Sequence, residues 1–289
     1  MAAMVRQGLR ITVTTTIVLG LLTICFWFLH SVPNAPTDVS GRGCLVLAYH
    51  RVKPRPWFLM DLLVGQDDYT VYVDDFVKQM ATLKSRGAQF ITAEELESII
   101  TRRNKPPDKC MLMTLDDGDI SQYQYAFPVL KKEQIPFLLF VISGRVGVPN
   151  FNGIEMASWP QIREMMLSGL LTAGSHTHDM HEVERPKQPV FADPANAAKF
   201  SEDLRLSLIT IERELGAPVR YFAYPFGFGT PQTDGLALRA GMRLLFSLRE
   251  GLVRPGDPSF FVKRVMVTPR NWQLIDQWLV SEPAAGGRL

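Results

Sequence analysis

A chain of 289 residues, 46% hydrophobic and 21% charged, has the balance of a globular protein and enough length to bury a substantial core. Lys plus Arg (31) against Asp plus Glu (29) leaves a formal charge of only +2, which excludes a protein whose affinity rests on neutralising nucleic-acid phosphates, so no nucleic-acid partner is expected. Ordinary glycine (21) and proline (20) usage excludes collagen-like and low-complexity classes.

The chain opens with Ile11 to Leu29, a run without a charge that follows Arg6 and Arg10. About 20 apolar residues suffice to cross a bilayer as a helix. No convincing small-x-small cleavage site follows, so residues 1–30 are expected to be an uncleaved membrane anchor rather than a removed signal. Cys25 is a poor lipidation site because the bulky Ile24 precedes it. With the two arginines kept inside, everything after Ser31 is expected across the membrane: a single-pass protein of the cell membrane with its folded part on the extracytoplasmic side. Residues 31–43, with Pro33 and Pro36, read as a linker, residues 44–282 as one domain and 283–289 as a tail.

From Cys44 onward, apolar runs of strand length alternate with helix-period segments, the pattern of parallel strands covered by helices. Strands are expected at 44–49, 88–91, 111–115, 137–142, 171–174, 219–223, 243–247 and 261–267. After Asp74, Phe76, Met80 and Leu83 share one helical face that stops at Gly87. Thr92 with Glu95, and Ser158 with Gln161, are capping-box pairs, and a helix over 200–215 closes at Gly216. About eight such strands in one domain fit a distorted or closed (β/α) barrel. Of the three cysteines, Cys44 and Cys110 lie at the starts of two apolar runs, equally far before His50 and Asp116. In-register neighbours would bring the thiols level, but two buried free thiols are the expected state.

A barrel carries its chemistry at the carboxyl ends of its strands. His50, Asp116-Asp117-Gly118, His176 and the turn Tyr224-Pro225-Phe226-Gly227 each follow a candidate strand. An Asp-Asp-Gly sequence alone marks a turn. The tract Ser175-His176-Thr177-His178-Asp179-Met180-His181 is more telling, because three imidazoles packed beyond one strand are typical of metal ligation. Imidazoles with one carboxylate suit a zinc site that keeps an open position. His178 competes with His181 as ligand at this stage, and Asp179 is a candidate to support a histidine from behind. Trp57 and Phe58 lie in a long connection after His50. Trp159, Trp272 and Trp278 are candidates either for stacking on sugars or for core packing, the latter being expected of Trp272 and Trp278. No Gly-x-Ser-x-Gly elbow suggests a covalent acyl intermediate.

Thr114-Leu115-Asp116-Asp117-Gly118, the tract from His176 to His181 and the Tyr-Pro-Phe-Gly turn, in this order, resemble the successive motifs of the polysaccharide deacetylases, carbohydrate esterase family 4. Ala48-Tyr49-His50, Tyr69 to Val71 and the His-Thr-His-Asp-x-His tract bring the resemblance closest to the exported poly-β-1,6-N-acetylglucosamine de-N-acetylases of biofilms. The resemblance covers Cys44 to about Val267 and implies a circularly permuted motif order. It implies Asp117, His176 and His181 as ligands of a divalent metal, zinc first with cobalt or nickel as alternatives, Asp116 as catalytic base, His50 as general acid and the backbone N–H of Phe226 as oxyanion donor. Tyr224, Trp159, His178 and Asp179 are left as candidates for substrate contact or support. Most members carry an arginine two residues before the proline of the turn, where this chain has Ala223, so the resemblance supplies no partner for Asp116. The implied activity is hydrolysis of N-acetyl groups from an N-acetylglucosamine polymer, with polysaccharide synthase or export proteins as partners. A deacetylase of 1,4-linked peptidoglycan or chitin and a non-catalytic carbohydrate-binding relative are the alternatives.

Overall fold

The computed structural model describes residues 42–57, 66–184 and 188–280. The expected anchor, most of the linker, Phe58 and the tail lie outside the described residues. Among those described, no helix is long and apolar enough to cross a membrane.

The domain begins with β1 (Cys44–Tyr49), whose six residues are all buried. Two short strands, β2 (Arg51–Lys53) and β3 (Thr70–Tyr72), pair with each other in parallel outside the main sheet. Helix α1 (Val73–Ser85) buries Phe76, Met80 and Leu83, the face given by their spacing, and Gly87 turns the chain at φ 81°. After β4 (Gln89–Phe90), helix α2 (Ala93–Arg102) starts at the expected capping box: Thr92 N–H donates to the Glu95 carboxylate at 2.7 Å and Glu95 N–H to Thr92 Oγ1 at 3.2 Å. Strand β5 (Cys110–Leu115) is again buried throughout. A π-helical turn (Gln122–Ala126) then runs into α3 (Phe127–Glu133), followed by β6 (Phe137–Val141), α4 (Trp159–Leu167) and β7 (Leu171–Ser175). A small antiparallel pair, β8 (Val183–Glu184) and β9 (Gln188–Pro189), precedes α5 (Ala197–Leu215), which ends at Gly216 with φ 69°. The chain continues through β10 (Tyr221–Ala223), α6 (Pro231–Arg239), β11 (Leu244–Phe246), β12 (Val265–Met266) and α7 (Trp272–Val280).

The main sheet is parallel, in the order β11-β10-β7-β6-β5-β1-β12, with β4 added to β5. One edge of β5 is shared: β4 pairs with its first residues and β6 with its last three. Continuous apolar strands such as β1 and β5 are what a parallel sheet covered on both faces requires. The first and last strands are neighbours, Leu47 lying opposite Val265.

Three expectations differ from the structure. The barrel does not close, because β11 and β12 are not paired. A single parallel bridge between Phe246 and Val262 and the side chain of Arg264, which donates to the Ser247 carbonyl, span the gap. The strand expected over 261–267 shrinks to β12 because Phe261 takes a left-handed φ of 53°, which ends extended structure. The architecture is thus a half-barrel, a distorted (β/α) fold. The cysteines are also not free thiols: Cys44 and Cys110 sit opposite each other in the β1–β5 register, with Cα atoms 4.5 Å apart, and form a disulfide.

Candidate active site

The parallel order delivers four strand ends to one rim. His50 follows β1, Asp116 and Asp117 follow β5, His176 follows β7, and the turn at Pro225–Gly227 follows β10. The strand ends are tied by backbone bonds, from Asp116 N–H to the Tyr49 carbonyl at 2.9 Å and from His176 N–H to the Val141 carbonyl at 2.9 Å. Gln122, on the π-helical turn, donates through its amide to the carbonyls of both His50 and Asp116 and so locks the β1 and β5 ends together. Such turns frequently sit at functional sites. Sequence patterning gave no reason to single Gln122 out.

The rim is strained. Asp117 (φ 77°), Thr177 (φ 75°) and Phe226 (φ 60°) are non-glycine residues with left-handed backbone, and each is at or beside a candidate site group. Such conformations cost about 1–3 kcal/mol each and persist where the surroundings over-determine them.

Asp117, His176 and His181 converge, their ligand atoms lying within 4.8 Å of one another. Asp117 Oδ1 is 3.5 Å from His176 Nε2 and 3.4 Å from His181 Nε2. The same oxygen is buried with no hydrogen-bond partner among the described residues. His176 Nδ1 lies 2.8 Å from the Ala223 carbonyl, so a proton held there leaves Nε2 facing the cluster with its lone pair. Burial pushes the His176 imidazole down to about 4, against the pull of Asp116, which keeps it neutral near pH 7. Burial alone would raise the Asp117 carboxyl; the surrounding imidazoles, His181 first, outweigh it and hold it well below the usual carboxylate range.

Asp116 lies beside this cluster with its carboxylate gripped by Arg264. Arg264 donates at 2.6 Å to Oδ1 and 2.8 Å to Oδ2, while also donating to Thr114 Oγ1 and the Ser247 carbonyl. Neither side chain has more than 1% exposure. Burial would raise the Asp116 carboxyl, but the Arg264 charge, with smaller contributions from His176 and His50, lowers it below its ordinary value. Arg264 precedes β12 and fills the place that Ala223 leaves open. In the sequence it stands beside Lys263 in an otherwise apolar run, and nothing local marks it as the partner of Asp116. His50 Nε2 is 3.8 Å from Asp116 Oδ2, its Nδ1 is buried without a partner among the described residues, and its ring meets that of Tyr69 edge-on at 5.2 Å. The Phe226 ring packs on His181 at 4.7 Å, in a turn whose Gly227 N–H closes on the Tyr224 carbonyl.

The other candidates are placed elsewhere. His178 is turned inward, Nδ1 3.0 Å from Ser143 Oγ, and is no part of the ligand cluster; the intervening Thr177 twist sends alternate imidazoles in different directions. Asp179 supports no histidine, since its carboxylate pairs with Arg145. Tyr224 is fully buried and its hydroxyl is bound to Asp234, which together with burial raises the phenol, so it faces no substrate. Trp159, Trp272 and Trp278 are half-buried and pack against the hydrophobic core, whereas Trp57 is 74% exposed.

A family profile described as polysaccharide deacetylase matches residues 103–245, from the approach to β5 as far as β11. A poly-β-1,6-N-acetyl-D-glucosamine N-deacetylase of Staphylococcus epidermidis is 30% identical over 251 residues, covering 85% of this chain and 86% of the relative. The chain belongs to the polysaccharide deacetylase family. A Staphylococcus aureus protein of the same name is 29% identical over 261 residues, with 86% of this chain and 89% of the relative covered. The solved structure of IcaB from Ammonifex degensii is 43% identical, has a TM-score of 0.77, and covers 84% of this chain and 99% of that one. As a member of this family the chain is an enzyme, a deacetylase. The profile spans Asp116, Asp117, His176, His181 and Phe226 and leaves outside it His50, just after β1, and Arg264, just before β12.

Proposed function

We propose that this deacetylase removes N-acetyl groups from exported poly-β-1,6-N-acetylglucosamine, releasing acetate, with a divalent metal held by Asp117, His176 and His181. The observation that carries the reading is Asp117 Oδ1, buried with no hydrogen-bond partner among the described residues and with two imidazole nitrogens 3.4 and 3.5 Å away. Tetrahedral ligation at about 2.0–2.1 Å spaces ligand atoms by about 3.3 Å, so the donor set fits zinc, with cobalt or nickel as substitutes. When bound, such an ion supplies Lewis acidity, polarising the acetyl oxygen and acidifying water.

The chain's own residues do the rest. Asp116, kept ionised by Arg264, accepts the proton of the attacking water. His50, whose Nε2 lies 3.8 Å from Asp116 Oδ2, delivers a proton to the sugar nitrogen as it leaves, without which an amine anion would have to depart. The Phe226 N–H, in the left-handed turn after β10, donates to the oxyanion that develops on the acetyl group. Water attacks directly, so no covalent nucleophile is needed.

The polymer is inferred from the names of the two staphylococcal relatives, whose similarity runs along most of both chains. Three features support a membrane-anchored domain of residues 44–282 on the extracytoplasmic side: the uncharged run Ile11 to Leu29, the arginines before it, and a disulfide, which persists in oxidising compartments. Synthase or export proteins are then its natural partners. Acetate release from poly-β-1,6-N-acetylglucosamine and from 1,4-linked oligomers, each with and without chelator, tests the assignment. Chelator-sensitive release from the 1,6-linked polymer is expected; activity confined to 1,4-linked substrates refutes the polymer, and activity indifferent to chelator refutes the metal.

A further inference from the structure

We propose that Asp203, on helix α5, is a positioning residue for the metal site: its carboxylate clamps the loop that brings His181 back beside His176. The proposal deepens the metal-dependent reading and rests on it.

His176 is fixed by its strand and by the Ala223 carbonyl, but His181 lies beyond a loop and its place depends on the path of residues 177–180. That path is left-handed at Thr177 and then presents two successive amides, His178 N–H and Asp179 N–H, to one carboxylate. They reach Asp203 Oδ2 and Oδ1 respectively, each at 2.7 Å. Successive amides after a left-handed residue form a concave anion nest, and here the anion is built into the fold. Asp203 is only 8% exposed and stands on the helix face that buries Phe200, Leu204 and Ile211, so the core holds the clamp in place.

One turn further along the same face, the Ser207 hydroxyl lies 3.2 Å from Ser143 Oγ, 2.8 Å from Ser175 Oγ and 3.2 Å from the Thr177 carbonyl. Ser143 in turn meets His178 Nδ1, and Gly144 N–H donates to the His178 carbonyl at 2.8 Å. A Cβ at Gly144 would lie 2.6 Å from that carbonyl oxygen, which shows how closely this strip is packed on the loop. His178 therefore serves as an internal peg, and the five-residue spacing from His176 to His181 is closed from α5. The sequence carries the signal in a plain form: Asp203 and Ser207, four apart, interrupt an otherwise apolar helix face.

The test uses the full chain with Asp203→Asn, Ser207→Ala and, as a destabilised control far from the rim, Leu96→Ala on α2. Asn offers one acceptor and opposes an N–H to the second amide. Cobalt(II) affinity is measured by chelator competition, together with the visible cobalt spectrum and the Tm of each metal-free protein. Asp203→Asn should weaken cobalt binding by about tenfold or more and change the spectrum, with Ser207→Ala intermediate and Leu96→Ala binding as the unmodified chain does despite a lowered Tm. Wild-type affinity and spectrum in Asp203→Asn overturns the proposal, as does a loss in Leu96→Ala matching that in Asp203→Asn at equal Tm. If Asp203→Asn does not fold, Ser207→Ala decides by the same readings. An unmodified chain that takes up no cobalt overturns the metal reading itself, and the clamp with it.

Discussion

Arg264 and Asp116, 148 positions apart, meet through two hydrogen bonds of 2.6 and 2.8 Å, and neither side chain reaches solvent. The pair joins the segment leading into β12 to the rim end of β5, across β1. A carboxylate buried this deeply stays ionised only with a fixed counter-charge, so the arginine decides whether Asp116 can act as a base.

Removing that charge has a defined consequence. Arg264→Met leaves Asp116 buried without its partner and is expected to cost about 3–5 kcal/mol in denaturant unfolding. Because the folded pKa of Asp116 is depressed, its stabilisation is complete above the unfolded value of about 3.9 and is lost as pH falls through the folded value. Without Arg264 the carboxyl titrates at higher pH, so the acid limb of kcat/KM should move upward. Arg264→Lys, which keeps the charge and loses the fork, should fold and show a smaller upward shift with kcat reduced about tenfold or more. An acid limb unmoved in both variants would refute the role given to Arg264.

The choice between two imidazoles can be read from metal content. His181→Ala should lose stoichiometric metal and activity, because His181 Nε2 is 3.4 Å from Asp117 Oδ1. His178→Ala should keep one metal per chain, since its imidazole is spent on Ser143. Elemental analysis after dialysis distinguishes them, and the reverse pattern would make His178 the ligand.

His176 predicts a pH dependence of the metal-free protein. Its folded pKa of about 4 lies below the unfolded value, so between about 6.5 and 4 the unfolded chain binds a proton that the folded chain refuses. Stability is therefore undiminished by this group above pH 6.5 and declines as pH falls toward 4. Asp116 and Asp117, both depressed, contribute constant stability down to about pH 5, so the span between about pH 6.5 and 5 reports on His176 free of them. Melting in chelator across this range should show a falling Tm, flattened in His176→Gln. An equal slope in both proteins would contradict the assignment.

The disulfide closes a loop with a sequence separation of 66. Chain-entropy arguments give such a loop about 4 kcal/mol of stabilisation. Cys44→Ala with Cys110→Ala should lower unfolding stability by up to about that amount while leaving the affinity for metal unchanged, because both cysteines lie at the far ends of β1 and β5 from the rim. Urea titration and cobalt binding of the double variant check both halves of the statement.

Local chemistry in the sequence determined the elements and the identity of the reactive groups. Apolar runs gave β1 and β5, capping pairs gave the starts of α2 and α4, and the positions just past strands gave His50, Asp116, Asp117, His176 and the Phe226 turn, because parallel strands joined by crossover helices bring their carboxyl ends to one side. Tertiary structure alone decided the pairings. Strand order put Cys44 beside Cys110 and placed Arg264 on Asp116; backbone twist at Thr177 turned His178 away from His176; and the buried face of α5 supplied Asp203 beneath the loop. Periodicity and capping are properties of neighbouring residues and survive in a one-dimensional string, whereas the partner of a buried charge is fixed by which distant strands lie side by side.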